Sequence, residues 1–236
     1  MLSKPINNAA PATCKANIPE DFTNEACNCP YGNTYMKNSS RPFPVRIAIT
    51  GGIGCGKSYV CHQLETAGYP VFYCDDEAKR IIRTDVEVRK ALTELIGQEV
   101  YDPDGNLIKS VLASYLCAGK ENATRIDGIV HPKVVEAFTD WSVLHTDCPV
   151  VFMECALLFE AGFDKLTDIT ATIIVSEKTR LERLMLRDNI DEIQARKWMA
   201  LQLPETEKQR RADFCLRNDD IHLADDINNL LHMAIK

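Results

Sequence analysis

The stretch Gly51-Gly52-Ile53-Gly54-Cys55-Gly56-Lys57-Ser58 decides how this chain is read. It fits G-x-x-x-x-G-K-[ST], the pattern of a loop that cradles phosphates. Glycines let successive backbone N–H groups wrap an anion without steric conflict. A helix opening at Lys57 would aim its N-terminal amides and the positive end of its dipole at that anion. Lys57 is then placed to reach the β- and γ-phosphates of a nucleotide, and the Ser58 hydroxyl to ligate Mg²⁺. Gly52, Ile53, Gly54, Cys55, Gly56 and Tyr59 complete the expected nucleotide contacts of this stretch. Cys55 is read as loop filler, with an accessible, acidic thiol as the alternative.

The flanks separate such a loop from a merely flexible glycine-rich turn. Val45–Thr50 is a short apolar run suited to a buried strand, and Lys57–Ala67 reads as a helix ended by Gly68. Further strands are expected at Pro70–Cys74, Pro149–Met153, Thr170–Val175 and Phe214–Arg217. Helical patterns run from Asp75 to about residue 145, broken by the turn Asp102-Pro103-Asp104-Gly105. Others cover Glu177–Asp188, Asp191–Leu201 and Ile221–Ala234. Alternating strands and helices predict a three-layer α/β fold, a P-loop architecture whose parallel sheet is covered on both faces. Residues 1–44 differ: rich in Asn, Pro, Ala, Thr and Ser, they are expected to be a disordered or loosely ordered extension.

Composition bounds the function. The chain has 236 residues, 45% hydrophobic and 26% charged, enough for one core plus a small mobile subdomain. A net charge of −7 argues against nucleic acid as a partner. No apolar run reaches membrane-spanning length, and the N-terminus lacks the order of a secretory signal. Ten scattered cysteines read as reduced thiols in the cytoplasm. Cys14, Cys27 and Cys29 form at most half a metal site, because no second pair with zinc spacing follows. A monomer acting on small molecules is expected.

A phosphate loop alone does not name a reaction. A GTPase would carry Asn-Lys-x-Asp, which is missing, and Asp102-Pro103-Asp104-Gly105 matches the switch motif by letter only. A small-molecule kinase needs an acid near the acceptor hydroxyl, an anchor for the acceptor, and a cationic lid. Asp75 ends the second expected strand, beside the loop strand in a parallel sheet. It would take the acceptor proton or orient the hydroxyl, with helix N-cap as the plainer role. Arg180, Arg183 and Arg187 share one helix face. Arg183 and Arg187 would clamp phosphates; the alternative is a solvated face paired with Glu177, Glu182 and Asp188. Arg196, Lys197, Lys208, Arg210 and Arg211 extend the basic zone, mostly as surface residues.

These motifs line up with one family. Arg46 to Ile235 resembles the dephospho-coenzyme A kinases. Thr50 through Ser58 is similar to their Thr-Gly-Gly-Ile-Gly-x-Gly-Lys-Ser. Tyr73-Cys74-Asp75 stands where they have Asp-x-Asp, His131-Pro132 at their His-Pro, and Ala156-Leu157-Leu158-Phe159-Glu160 at their Pro-Leu-Leu-Phe-Glu. Gln202, Ala212-Asp213 and Asn218 fall at later matching positions. The resemblance implies that ATP, with Mg²⁺, phosphorylates the 3′-hydroxyl of dephospho-coenzyme A, the last step of coenzyme A biosynthesis. It implies a five-stranded parallel sheet, an acceptor-binding helical region around 76–145 and a lid around 183–211 within a kinase domain spanning 45–236. Lys57, Asp75 and Arg187 are the implied catalytic residues. Arg183, Arg187 and Asn218 would join the loop at ATP, and Asp75, Lys79, His131, Leu158 and Glu160 would contact the acceptor. Pro132 disfavours helical geometry for His131 and suits a first turn. The departures are Tyr73 for the first Asp, Ala156 for Pro, and Lys79 followed by Arg80 for the usual Arg. Glu154, at the end of the third strand, would supply the missing charge toward Mg²⁺. The alternatives are a kinase for another small acceptor, a nucleoside or its monophosphate, and a non-catalytic ATP-binding protein.

Overall fold

The computed structural model describes residues 43–235 and the backbone of two three-residue strands, β1 (Ala26–Asn28) and β2 (Thr34–Met36). β1 and β2 pair antiparallel. The rest of the expected extension lies outside the described residues.

Five strands form one parallel sheet, as the alternating pattern predicts. They are β3 (Val45–Thr50), β4 (Val71–Tyr73), β5 (Val150–Glu154), β6 (Ile169–Ile174) and β7 (Phe214–Arg217), in the order β4-β5-β3-β6-β7. β3 is central because it is apolar on both faces: Ile47 and Ile49 enter one core, Ala48 the other. α1 (Lys57–Thr66) and α9 (Leu223–Ile235) cover the first face with Val60, Leu64, Ile227 and Leu230. α2 (Cys74–Thr84), α3 (Val86–Ile96) and α5 (Lys120–Leu144) cover the second, where Ile81, Leu92, Val130 and Phe138 pack on Phe72 and Met153. Phe72 meets Phe138 edge-on at 5.3 Å and Trp141 at 5.4 Å. α4 (Lys109–Cys117) completes the helical region expected to bind the acceptor.

The strand order corrects one expectation. β4 does not lie beside β3, since β5 stands between them and pairs with both. All five residues of β5 are buried, whereas β4 is a three-residue strand at the sheet edge. The register aligns Ile49, Glu154 and Tyr73 across the three strands. Asp75 is therefore two strands from the loop, and Glu154 is the acid next to it. Asp75 is also not an N-cap: Cys74 opens α2, and Asp75, Asp76 and Glu77 fill its first turn, where the helix dipole favours acids.

A second correction concerns Pro132. It lies inside the 25 residues of α5, with His131 helical beside it. Pro132 and Gly128, whose carbonyl loses its partner, sit on the exposed side of the helix, where water can serve that oxygen. Ile126, Val130, Val134 and Phe138 hold the opposite side in the core. After β6 come α6 (Glu177–Asp188), α7 (Glu192–Ala200) and α8 (Glu205–Arg211), which span the expected lid and lead back to β7. α8 was not foreseen, because its seven residues carry no apolar stripe.

A Cβ added at Gly128 meets nothing within 4 Å. Gly128→Ala is expected to stabilise the protein by roughly 0.5–1 kcal/mol, read from urea midpoints. A loss of stability would show that α5 bends at this residue.

Candidate active site

Between β3 and α1 the backbone turns as a phosphate loop must. Gly56 has φ +87° and caps α1 in a left-handed conformation that other residues rarely adopt. At Gly52 the constraint is space: a Cβ there would collide with the Arg180 guanidinium and the Glu205 carboxylate. Cys55 is fully buried, and burial pushes its thiol pKa up, so it is filler and not a reactive thiol. The Lys57 ammonium donates to the Gly51 carbonyl at 2.9 Å, inside its own loop.

Side chains far along the chain hold the loop. Arg180, 5% exposed, donates through Nε to the Ile53 carbonyl at 3.0 Å. Gln202 Oε1 accepts from the Ile53 N–H at 2.7 Å. Asn218 Nδ2 donates to the Cys55 carbonyl at 2.8 Å. Gln202 and Asn218 stood out in sequence only as matching positions, and Arg180 only as one of three arginines on a helix face. The structure separates those three. Arg180 is inside, Arg183 lines a cavity, and Arg187 is turned outward against Asp188 at 2.7 Å.

The two sides of the loop differ. Toward β6 and β7 a cavity of about 980 Å³ opens, lined by Gly56, Tyr59, Val175, Arg183, Arg217 and Asn218. Toward β5 and β4 stand the acids. Glu154 is 7% exposed, and burial pushes its carboxyl up to about 7. Lys57 pulls it back down, while Asp75 and Asp76 raise it further. Tyr73 turns away: its phenol meets Glu65 of α1, and burial there holds its pKa up. Glu154 and Tyr73 are register partners on adjacent strands. Ser58 is exposed at the start of α1. Among the described residues no group of three His, Cys, Asp or Glu side chains could hold a metal ion. A magnesium ion carried by a nucleotide takes only one or two protein ligands, so Ser58 and Glu154 fit that kind of site.

The expected acceptor contacts divide. Lys79 stands on α2 with its ammonium 2.8 Å from Asp76. His131 faces Asp127 at 3.5 Å and meets Phe163 edge-on at 5.1 Å. Leu158 is fully buried in the second core. Glu160 accepts from the Leu203 N–H at 2.8 Å, which makes it a cap for the turn between α7 and α8. Lys208 is corrected, because it is not a surface residue but 0% exposed.

This geometry has counterparts. A family model described as Dephospho-CoA kinase matches residues 45–223. The Dephospho-CoA kinase of Bacteroides fragilis is 42% identical over 176 residues, 74% of this chain and 85% of that protein. That of Salinibacter ruber is 40% identical over 175 residues, 73% of this chain and 88% of its own. A crystal structure from Thermus thermophilus superposes with a TM-score of 0.69 at 29% identity, covering 81% of this chain and 96% of that one. The dephospho-CoA kinase from Campylobacter jejuni gives 0.59 at 20% identity over 79% and 95%, a likeness of fold alone.

Glu154 makes stability depend on pH. Its folded pKa lies above its ordinary value, so the fold prefers the protonated carboxyl. The stability this contributes is full below about pH 4.5 and is lost as pH rises through about 7. Melting of the metal-free protein across that range is expected to show this falling limb, and Glu154→Gln to flatten it. An unchanged limb in the variant would show that another group carries it.

Proposed function

The chain belongs to the dephospho-coenzyme A kinase family, whose members use ATP to phosphorylate dephospho-coenzyme A, and from that premise we propose how its own residues divide the work. The phosphoryl acceptor is the ribose 3′-hydroxyl, and the products are coenzyme A and ADP. One observation carries the assignment of sides: the phosphate loop stands between an open cavity and the buried carboxylate of Glu154, with Asp75 beyond it.

The nucleotide base and ribose enter the cavity beside Tyr59, Arg183 and Asn218. The loop amides from Gly52 to Ser58 and the α1 N-terminus take the phosphates. Lys57 exchanges the Gly51 carbonyl for phosphate oxygens, which answer its charge better. Ser58 and Glu154 would hold Mg²⁺, which would neutralise charge on the β- and γ-phosphate oxygens. The nearby Lys57 ammonium favours the ionised Glu154 this needs. Asp75, exposed in the first turn of α2, orients the acceptor hydroxyl and receives its proton. Lys79 and His131 flank the acceptor from α2 and α5. Arg183 is already at the loop, 3.4 Å from the position a Gly56 Cβ would take. Arg187, paired with Asp188, reaches phosphate only when the lid swings inward. We place the reaction in the cytoplasm, which suits the free cysteines and the small-molecule substrates.

ADP release is to be followed with ATP, Mg²⁺ and dephospho-coenzyme A, beside adenosine and AMP as competing acceptors. Turnover is expected with dephospho-coenzyme A alone and is lost in Lys57→Ala. Asp75→Asn is expected to lower kcat about 10²- to 10⁴-fold with ATP affinity retained. Turnover only with adenosine or AMP would sink the acceptor assignment, and ATP binding without turnover would leave a non-catalytic binder.

A further inference from the structure

Lys208 has no exposed surface. Among the described residues its ammonium makes one long hydrogen bond, to the Ala156 carbonyl at 3.3 Å, and lies 4.0 Å from Glu160 Oε1. Burial lowers its pKa, and the charges of Glu160 and Glu205 oppose that fall. A buried ammonium is costly unless its charge and its three donors are answered. These contacts answer them only in part, so hydrophobic packing does not explain a lysine here.

Its neighbours point to the phosphate loop. Lys208 is close enough to Lys57 to feel its charge. Glu205, three residues earlier on α8, abuts Gly52 and lies 3.4 Å from Arg180. Glu205 Oε1 is buried there without a hydrogen bond. Glu160, on the far side of Lys208, fixes the Leu203 N–H one residue after Gln202. α8 therefore presses the Glu205 carboxylate against Gly52 while its Lys208 ammonium is held by Ala156 and Glu160, and the braces on Ile53 come from residues nearby.

We propose that Lys208 is a positioning residue for ATP: anchored on Ala156 and Glu160, it seats α8 so that Glu205, Arg180 and Gln202 keep Gly52 and Ile53 in phosphate-receiving geometry. It touches no substrate. It acts through the loop, and its charge adds positive potential from a water-poor side, where such charges are weakly screened. The proposal rests on the assignment of the loop as the ATP site.

The test compares wild type, Lys208→Met and Lys208→Arg. Methionine keeps volume and removes charge, at a cost in stability because Glu160 and Glu205 lose the cation that answers them. Lys208→Met is expected to raise the ATP KM about tenfold or more. The dephospho-coenzyme A KM should hold while the melting temperature falls, and Lys208→Arg should recover much of the ATP affinity. A folded Lys208→Met with an unchanged ATP KM overturns the proposal, as does equal weakening of both substrates. If Lys208→Met does not fold, Glu205→Gln must raise the ATP KM selectively, and unchanged kinetics there overturns it instead. Absence of ATP binding in the wild type would refute the ATP assignment itself, a result separate from any change confined to the variants.

Discussion

The phosphate loop has almost no side chains with which to hold its own shape. Backbone amides that must face an anion cannot also be satisfied by a regular ladder, so the fixing has to come from elsewhere. Three side chains supply it: Arg180 on the Ile53 carbonyl, Gln202 on the Ile53 N–H, and Asn218 on the Cys55 carbonyl. Each comes from the stretch that runs from α6 to the residue just after β7. The glycines leave room for these braces, since a side chain at Gly52 or Gly56 would occupy the space of Arg180 or Asn218. Loop, α6, the α7–α8 turn and the end of the last strand are thus tied together.

The strand order gives the loop its polarity. With β6 and β7 on one side of β3 and β5 and β4 on the other, the loop looks onto a cavity to one side and onto carboxylates to the other. Glu154 ends the strand that touches β3, and its burial makes it reluctant to ionise until a cation answers it. Lys57 is the cation already present. The same lysine therefore hydrogen-bonds a carbonyl within the loop and, by its charge, eases the ionisation of the carboxylate nearby.

Much of the fold was legible because its signals are local. Glycines flanked by an apolar run and a helix announced β3, the loop and α1, and the bounds of α6 and β7 were found residue for residue. Strand order was not legible. Where Asp75 lies depends on β5 inserting beside β3, which no short-range pattern encodes. Pro132 misled because its local preference is for a break, whereas a helix with four buried residues on its other face overrides it. α8 hid because it is polar all round. Lys208 hid because lysine almost always reads as surface. The arginine face was seen as one feature, yet two turns of helix separate a buried brace from a solvent-facing ion pair.

The braces join residues 149 and 163 positions apart, Gln202 to Ile53 and Asn218 to Cys55. A ribosome makes the loop early and its supports late. While the chain is being synthesised, β3, the glycines and Lys57 emerge well before Arg180, Gln202 and Asn218 exist to hold them. The nascent chain therefore carries a recognisable phosphate-binding motif without a competent site, and β6 and β7 must join the sheet before the site closes. Nucleotide cannot capture a half-made enzyme by this route, so ligand-driven stabilisation arrives only with the finished sheet.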